Sequence, residues 1–254
     1  MEGQPSVIGR AGQLLRALAT HEPDGATTTF VAETTGLPRP TVHRLLAALA
    51  DEGLVERDNA TAAWHLGPEC FLLGAAAATR YDVTPAARAA VRRLANETGE
   101  SAFFTVRRGS ETVCLIREDG SFPVRSHVLR EGIRFPLGVA SAGMAILAFL
   151  PEAEREAYIQ TESLAEDFGL AHDVDGLREQ VQATRTRGFA VNPGLIVEGS
   201  WGLGAAVFDA QGMPRWVLSI TGIEARLAPP RQGQLGKLLM REAHSLAEAL
   251  RLPR

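Results

Sequence analysis

One short stretch of the chain, residues 27–67, constrains the fold more than any other. It runs TTTFVAETTGLPRPTVHRLLAALADEGLVERDNATAAWHLG. A helix predicted over Thr29–Thr35 ends at Gly36, where the exit from a helix favours a left-handed residue. A second helix begins near Arg39, with Pro40 in its first turn, where a missing N–H costs nothing. The pattern therefore predicts two helices joined by a tight turn.

The second helix, expected over Arg39–Glu52, is amphipathic. Its apolar residues recur at i, i+3, i+4 and i+7, so that one stripe faces a core. Two short strands with a turn between them follow at 54–57 and 63–66. Two helices and a hairpin in this order are typical of proteins that place one helix in the major groove of DNA. We therefore predict a DNA interface formed by Arg39, Pro40, Thr41, His43 and Arg44, with Thr28 and Arg57 beside them.

Net charge argues against strong binding of nucleic acid by a single copy. Residues 1–80 contain six arginines and no lysine against nine acidic residues, and the whole chain carries a formal charge of −4. Because nonspecific affinity comes from cations on phosphates, we expect a dimer, or a dimer of dimers, on a palindromic double-stranded operator. Two other classes stay open at this point: an enzyme with an appended winged helix, and a protein-interaction module.

Length and composition indicate a globular protein. The 254 residues are enough for one small and one medium domain, and 45% of them are hydrophobic. No apolar run approaches the roughly 18 residues of a membrane span, and the N-terminus lacks the core of a signal peptide. The two cysteines, Cys70 and Cys114, stand in apolar contexts. Buried free thiols fit a reducing compartment, so we expect a cytoplasmic protein without a membrane partner.

Residue patterns give little support to catalysis. The six histidines show no zinc-ligand spacing. The run from His172 to Asp175 imitates a metal cluster, but an exposed loop with Asp173 capping the next helix is the better interpretation. The glycines at 199–204 have neither the order nor the lysine of a phosphate loop, and no G-x-S-x-G elbow occurs. We expect no catalytic residue, no metal and no cofactor.

Periodicity and turn residues divide the rest of the chain into helices and strands. Helices are expected over Val7–His21, Glu69–Tyr81, Pro85–Glu97, Ala142–Leu150, Glu152–Gln160, Val174–Arg187 and Arg231–Arg251. Strands are expected over Ser101–Arg107, Thr112–Glu118, Val124–Arg130, Leu203–Asp209 and Trp216–Gly222.

Several motifs resemble one known family when they are taken in order. GLPRPTVHRLLAALADEGLVERD, followed by WHLG and preceded by RAGQLLRALA, resembles the winged helix-turn-helix of IclR-type transcriptional regulators. LGAAAATRYDVTPAARAAVRRLANETGESAFFTV resembles the linker helices and first effector strand of that family. PLGVASAGMAILAFLP resembles its ligand-pocket loop, and RTRGFAVNPGLIVEGSWGLGAAVFDAQGMPRWVLSITG its paired C-terminal strands. The resemblance covers essentially residues 7–250.

This resemblance implies an α/β (α+β) chain with three parts. They are a winged helix-turn-helix DNA-binding domain at 1–67, linker helices at 68–98 and a GAF-like effector-binding domain at 99–254. In the family, such linker helices also carry dimer contacts. The implied function is that of a ligand-responsive regulator, which we expect to be a repressor, controlled by a small organic effector.

A ligand pocket is predicted where small residues open a helix. Residues 139–143, Val-Ala-Ser-Ala-Gly, leave volume, and the free N–H groups at a helix start attract an anion. Ser219 and Thr221 flank Ile220 in a strand, so both hydroxyls project to the same face. The resemblance adds positions from other strands, which gives as effector-binding residues Ser141, Ala142, Asn192, Gly202, Ser219 and Thr221.

Departures from the family pattern bear on the nature of the effector. Gly138 stands where histidine is frequent, Met144 where lysine is frequent, and Asn192 where a carboxylate is common. Each change removes a charge or a titrating group near the expected pocket. We therefore expect an aromatic or weakly polar acid, less charged than a simple keto acid such as pyruvate. In the recognition helix, Pro40 replaces a common serine, which removes one expected phosphate contact.

Overall fold

The chain forms two compact units, Met1–Asp82 and Val83–Arg254. The computed structural model describes residues 6–78, 83–124 and 128–251. Its first unit contains α1 (Val7–Ala19), α2 (Thr28–Thr35), α3 (Arg39–Asp51), β1 (Val55–Arg57), β2 (Trp64–Leu66) and α4 (Pro68–Ala78).

The core of the first unit comes from the apolar stripes of its first three helices. Leu14 and Leu18 of α1, Val31 of α2, and Val42 and Leu46 of α3 are fully buried in one cluster. A left-handed glycine, residue 36 at φ +68°, ends α2 and lets α3 start three residues later. The predicted helix-turn-helix with a two-stranded wing is confirmed.

The second unit is a sheet covered by helices. Its elements are α5 (Thr84–Thr98), β3 (Ser101–Arg108), β4 (Glu111–Glu118), β5 (Arg134–Pro136), α6 (Ser141–Phe149), α7 (Glu152–Thr161), α8 (Ala165–Phe168), α9 (Val174–Arg187), β6 (Ala190–Pro193), β7 (Ser200–Phe208), β8 (Pro214–Ile223), α10 (Glu224–Leu227) and α11 (Arg231–Arg251). A 3₁₀ turn, Leu170–His172, precedes α9.

The six strands of this sheet are antiparallel throughout, in the order β5-β4-β3-β8-β7-β6. The central pair, β3 and β8, joins a strand from the start of the unit to one from its end. Helices α6 to α9 lie between these two groups of strands in the sequence. The expectation of strands at both ends with helices between them is therefore confirmed.

Strand alternation gives the sheet two different faces. Phe104, Leu218 and Ile220 point to one side, where they pack in a cluster with buried residues of α5 and α11. Val217 and Ala206 point to the other side, where they join the buried residues of α6. The register places Phe103 opposite Ser219 and Gly202 opposite Thr221, so these four also lie on the α6 face.

The expectation of a strand over Val124–Arg130 is wrong. Its described residues are not in a strand, and residues 125–127 lie outside the described part. The third strand of this group is instead β5, which pairs with β4. A turn at Gly132 (φ +79°) directs residues 133–136 onto β4, and Leu129 packs beside Phe103 and Cys114. The apolar residue at 129 therefore fills the core from a loop.

Further expectations concern residues 172–175, the two cysteines and the possibility of a membrane-spanning helix. Asp173 caps α9 as predicted, since its side chain accepts a 2.8 Å hydrogen bond from the Gly176 amide. His172, however, is buried at 1% exposure, so the loop interpretation is wrong for this residue. Cys114 is a buried free thiol, and Cys70 is half-buried and also free. No helix in the described part of the chain is long and apolar enough to cross a membrane.

Candidate functional site

The solvent face of α3 carries the residues predicted to contact DNA. Arg39, Pro40, His43 and Arg44 are exposed and Thr41 is half-buried, whereas the intervening Val42 is fully buried. Within the described residues, neither the Arg39 nor the Arg44 side chain makes a hydrogen bond or an ion pair. Both guanidinium groups are available to phosphates or base edges without breaking an existing contact.

Thr28 and Arg57 both contact Trp64, a residue that was not among those predicted to bind DNA. The indole N–H of Trp64 donates a 3.0 Å hydrogen bond to the Thr28 hydroxyl. The Arg57 guanidinium carbon lies 5.7 Å from the centroid of the Trp64 ring. A large aromatic residue in a three-residue wing strand is the sequence signal that points to Trp64. These contacts connect the start of α2 to the wing.

Four of the six predicted effector-binding residues surround one cavity on the α6 face of the sheet. Ser141, Asn192, Gly202 and Thr221 line a space of about 20 Å³. A volume of this size holds about one water molecule. The remaining lining residues come from the loop before β5, the residue before α6, the β6–β7 connection and the start of β7: Val128, Leu129, Ala140, Ile196, Ser200 and Trp201.

Two glycines of β7 allow the start of α6 to approach the sheet. A Cβ added at Gly202 would lie 2.9 Å from the Ser141 hydroxyl oxygen, and one added at Gly204 would lie 2.8 Å from the Ser141 carbonyl oxygen. Side chains at these positions would therefore push α6 away. The glycines of this segment therefore admit the N-terminus of a helix next to the sheet.

Ala142 and Ser219 lie behind the cavity rather than on its wall. Ala142 is buried in the α6 cluster, and Ser219 is fully buried next to Gly204. The side-chain oxygens of Ser219 and Thr221 are both buried and have no hydrogen-bond partner within the described residues. Buried hydroxyls normally have a hydrogen-bond partner. The Thr221 hydroxyl on the cavity wall has none within the described residues, so it can bond to a polar atom of a ligand.

Asn192 is held by two backbone groups. Its amide nitrogen donates to the Val139 carbonyl at 2.8 Å, and its amide oxygen accepts from the Leu195 N–H at 2.9 Å. The first bond fixes the segment that leads into α6, and the second closes the turn after β6. The donor and the acceptor of the Asn192 amide are therefore both bonded to backbone, and these two bonds hold the side chain in place at the cavity wall.

The described wall of the cavity has no ionisable side chain. Two of the three departures from the family pattern lie elsewhere, because neither Gly138 nor Met144 lines the cavity. Gly138 has φ +89°, and a Cβ there would lie 2.8 Å from a methyl carbon of Leu177. Met144 is buried in the core with 1% exposure. Backbone conformation and packing therefore account for these two residues.

Other grooves on the second unit are larger, but none of the six predicted effector-binding residues lines the two described next. One of about 390 Å³ is lined by α5 and α11, and another of about 450 Å³ lies between α9, β6 and the start of α11. Of the residues that line these two grooves, only Trp201 is shared with the cavity. Among the described residues, no group of three or more potential metal ligands occurs.

Comparisons with known proteins cover both units. Residues 7–59 match the IclR helix-turn-helix domain, and residues 75–248 match the bacterial transcriptional regulator IclR C-terminal family. The chain is 29% identical to the HTH-type transcriptional regulator KipR of Bacillus subtilis over 232 residues, which is 91% of each protein. It is 26% identical to the transcriptional repressor IclR of Escherichia coli over 253 residues, covering 97% of this chain and 90% of that protein.

Solved structures agree with this assignment. An IclR transcriptional regulator from Alicyclobacillus acidocaldarius superposes with a TM-score of 0.77 at 25% identity, covering 96% of this chain and 98% of that one. An IclR homolog from Microbacterium hydrocarbonoxydans, complexed with 4-hydroxybenzoate, has the same fold, with a TM-score of 0.76 at 20% identity and coverage of 97% and 99%. These relatives are named regulators and repressors, which favours a regulator over an enzyme or a protein-interaction module. The chain belongs to the IclR family of ligand-responsive, DNA-binding bacterial transcriptional regulators.

Proposed function

We propose that two copies of this regulator bind a palindromic operator, each placing α3 in the major groove. Arg39 and Arg44 contact phosphates or base edges, with Pro40, Thr41 and His43 on the same surface and Thr28 and Arg57 on the flanking backbone. The observation that carries this assignment is the pair of exposed arginines on α3 without an ion pair in the described part of the chain.

Self-association is supported by α4. Within the described residues this helix buries none of its side chains, and Phe71, Leu72 and Leu73 are exposed at 76%, 58% and 60%. A contiguous apolar surface of this kind is unfavourable in water and marks an interaction site. We assign it to a homodimer, or a dimer of dimers, in which each copy reads one half-site.

A selected DNA duplex tests the DNA interface. Duplexes enriched from a random pool by the wild-type protein serve as the operator, and gel shifts measure their binding. Arg39→Ala and Arg44→Ala are expected to weaken the shift strongly while keeping the wild-type circular dichroism spectrum. Arg215→Ala, on the second unit, is the matched control and keeps the shift. Wild-type binding by both α3 variants would remove this helix from the interface.

For the effector, we propose a small aromatic or weakly polar organic acid in the cavity between α6 and the sheet. Ser141 and Thr221 supply hydroxyls, and the N–H groups at the start of α6 face the acid group. Ile196 and Leu129 supply apolar contacts for the remainder of the molecule. The 4-hydroxybenzoate bound by the Microbacterium homolog is an acid of this class.

Calorimetry with a panel of acids tests this assignment. Benzoate and 4-hydroxybenzoate are expected to bind, and Thr221→Val to weaken binding about tenfold, because the apolar isostere leaves the ligand's polar atom unpaired. Pyruvate and glyoxylate are the small, more polar comparison ligands. Micromolar binding of either keto acid, with no binding of the aromatic acids, would contradict the proposal.

Regulation follows from these two sites. We propose that the chain is a cytoplasmic repressor divided into a DNA-binding domain at 1–67, linker helices at 68–98 and an effector-binding domain at 99–254. Effector binding then alters the affinity for the operator through the linker helices. A coupling free energy of about 1–3 kcal/mol is enough for a 5- to 150-fold change in affinity.

A further inference from the structure

Trp64 lies between two elements that are far apart in sequence. Its side chain is buried at 4% exposure, although β2 is only three residues long. Its backbone exchanges two hydrogen bonds with Ala26, of 2.8 and 2.9 Å, just before α2 begins. The return strand of the wing is thus paired with the segment that leads into α2, and the Trp64 ring lies between this segment and the wing.

Trp64 belongs to the buried core of the first unit, and two of the side chains that it touches lie on the proposed DNA surface. The indole N–H occupies a lone pair of the Thr28 hydroxyl oxygen at 3.0 Å. A threonine hydroxyl has one proton and two lone pairs, so its O–H stays available to donate to a phosphate oxygen. On the neighbouring strand, Arg57 is the register partner of Trp64 and lies over its ring at 5.7 Å.

Both contacts restrict a side chain before DNA arrives. A stacked guanidinium has fewer rotamers to lose on binding a phosphate than a free one, and a hydrogen-bonded hydroxyl has a preferred direction. The opposite end of β2 is fixed independently, since the Glu22 carboxylate accepts a 2.6 Å hydrogen bond from the Leu66 amide and pairs with His65 at 3.2 Å. The backbone of the wing is thus anchored by bonds other than that of the Trp64 indole N–H, which goes to Thr28.

We infer that Trp64 is a positioning residue for DNA binding, which aims the Thr28 hydroxyl and the Arg57 guanidinium at the phosphate backbone flanking the α3 contacts. This inference rests on the proposed role of Thr28 and Arg57 at the operator. It assigns Trp64 no contact with DNA of its own.

Fluorescence anisotropy with the selected duplex tests the inference through three variants. Trp64→Phe keeps an aromatic ring for Arg57 but loses the N–H, and Thr28→Val keeps the shape of threonine but loses the hydroxyl. Each is expected to weaken binding about 5- to 10-fold, the effect of one lost hydrogen bond. Thr28→Ser keeps the hydroxyl and is expected to bind within about twofold of the wild type.

The double variant separates positioning from simple structural support. If Trp64 acts through Thr28, Trp64→Phe combined with Thr28→Val is no weaker than either single variant, because the second change removes nothing further. Hydroxyl-radical footprints of Trp64→Phe and Thr28→Val are expected to lose the same protected backbone positions. Trp216→Phe is the matched control, since Arg215 lies over Trp216 at the same 5.7 Å but on the second unit.

Several outcomes would overturn the inference. Independent, additive losses from the two single variants would give Trp64 a structural role only, as would wild-type affinity of Thr28→Val. If Trp64→Phe fails to fold, the comparison of Thr28→Val with Thr28→Ser still decides whether the hydroxyl matters. Weak binding by Arg39→Ala with normal binding by both Trp64→Phe and Thr28→Val would reject this inference alone. Failure of the wild type to select any duplex would reject the DNA interface with it.

Discussion

The side-chain amide of Asn192 uses its donor and its acceptor on two different backbone segments. One bond reaches the Val139 carbonyl before α6, and the other reaches the Leu195 amide in the turn after β6. The resemblance to the family implies a carboxylate at this position, and a carboxylate has no N–H to donate. An amide in place of a carboxylate therefore removes a negative charge from the cavity wall and adds a hydrogen bond to the Val139 carbonyl.

Replacing this amide is predicted to destabilise the second unit. Asn192→Asp places a carboxylate oxygen against the Val139 carbonyl, which costs about 1–3 kcal/mol as a buried unsatisfied pair. In a domain of this size the midpoint of thermal unfolding should fall by about 2–4 °C per kcal/mol. Differential scanning calorimetry measures the shift, with Asn96→Asp on the exposed side of α5 as control. An unchanged midpoint would show that the amide contacts contribute nothing to stability.

The thiol of Cys114 is predicted to be unreactive in the folded protein. Burial raises its pKa to about 12, so that the protonated thiol predominates at pH 8. An aromatic disulfide reagent should therefore label Cys70 first and Cys114 only on unfolding, and Cys70→Ser should remove the early phase. Because the folded-state pKa is raised above 9, the Cys114 contribution also makes stability fall as pH rises from about 9 towards 12. Rapid labelling of Cys114 in native Cys70→Ser would contradict this.

Among the elements, α6 depends on its two β7 glycines. Gly204→Ala places a methyl group 2.8 Å from the Ser141 carbonyl oxygen. The expected cost is about 1–3 kcal/mol from overpacking, with a weaker effector site because the helix start moves. Gly233→Ala is the control, since a Cβ there meets nothing within 4 Å and should be neutral or slightly stabilising in a helix. Urea unfolding of both variants gives their midpoints. Equal midpoints would show that α6 does not need a glycine at position 204.

Elements with strong periodicity could be predicted from the sequence, and edge strands could not. The stripe of Val42, Leu46 and Leu49 specified α3 because burial of a helix face repeats with a fixed period. β5 and β6 have only three and four residues, too short for alternation to be distinguished from a loop. The strand predicted over Val124–Arg130 was wrong for a related reason. Leu129 is apolar and buried, but an apolar side chain can fill a core from a loop as well as from a strand.

At the scale of the whole molecule, low positive charge limits how the operator is bound. If the dimer uses Arg39, Arg44 and Arg57 from each copy, the logarithm of the association constant should fall with the logarithm of salt concentration with a slope of about −5. Arg44→Ala should reduce that slope by about 2, and Arg215→Ala should leave it unchanged. Anisotropy titrations between 50 and 200 mM salt measure the slopes. An Arg44→Ala slope equal to that of the wild type would place Arg44 away from phosphates.

The candidate cavity could be predicted only in part, because it is a property of the whole second unit. Ser141, Asn192, Gly202 and Thr221 come from four separate elements, and the family resemblance together with strand alternation selected them. Trp201 and Ile196 were missed, since an apolar residue next to a turn is usually core. Ala142 and Ser219 were assigned to the pocket because residue type alone does not separate a wall from the layer behind it.

The small volume of this cavity has a kinetic consequence. A space of about 20 Å³ is far below the few hundred Å³ that small-molecule ligands occupy. Entry of any organic acid then requires the walls to open, and the apparent dissociation constant includes the population of the open form. In stopped-flow mixing the observed binding rate should therefore level off at high ligand concentration, where opening becomes rate-limiting. The rate at which the cavity opens would then limit how soon the regulator can respond to its effector.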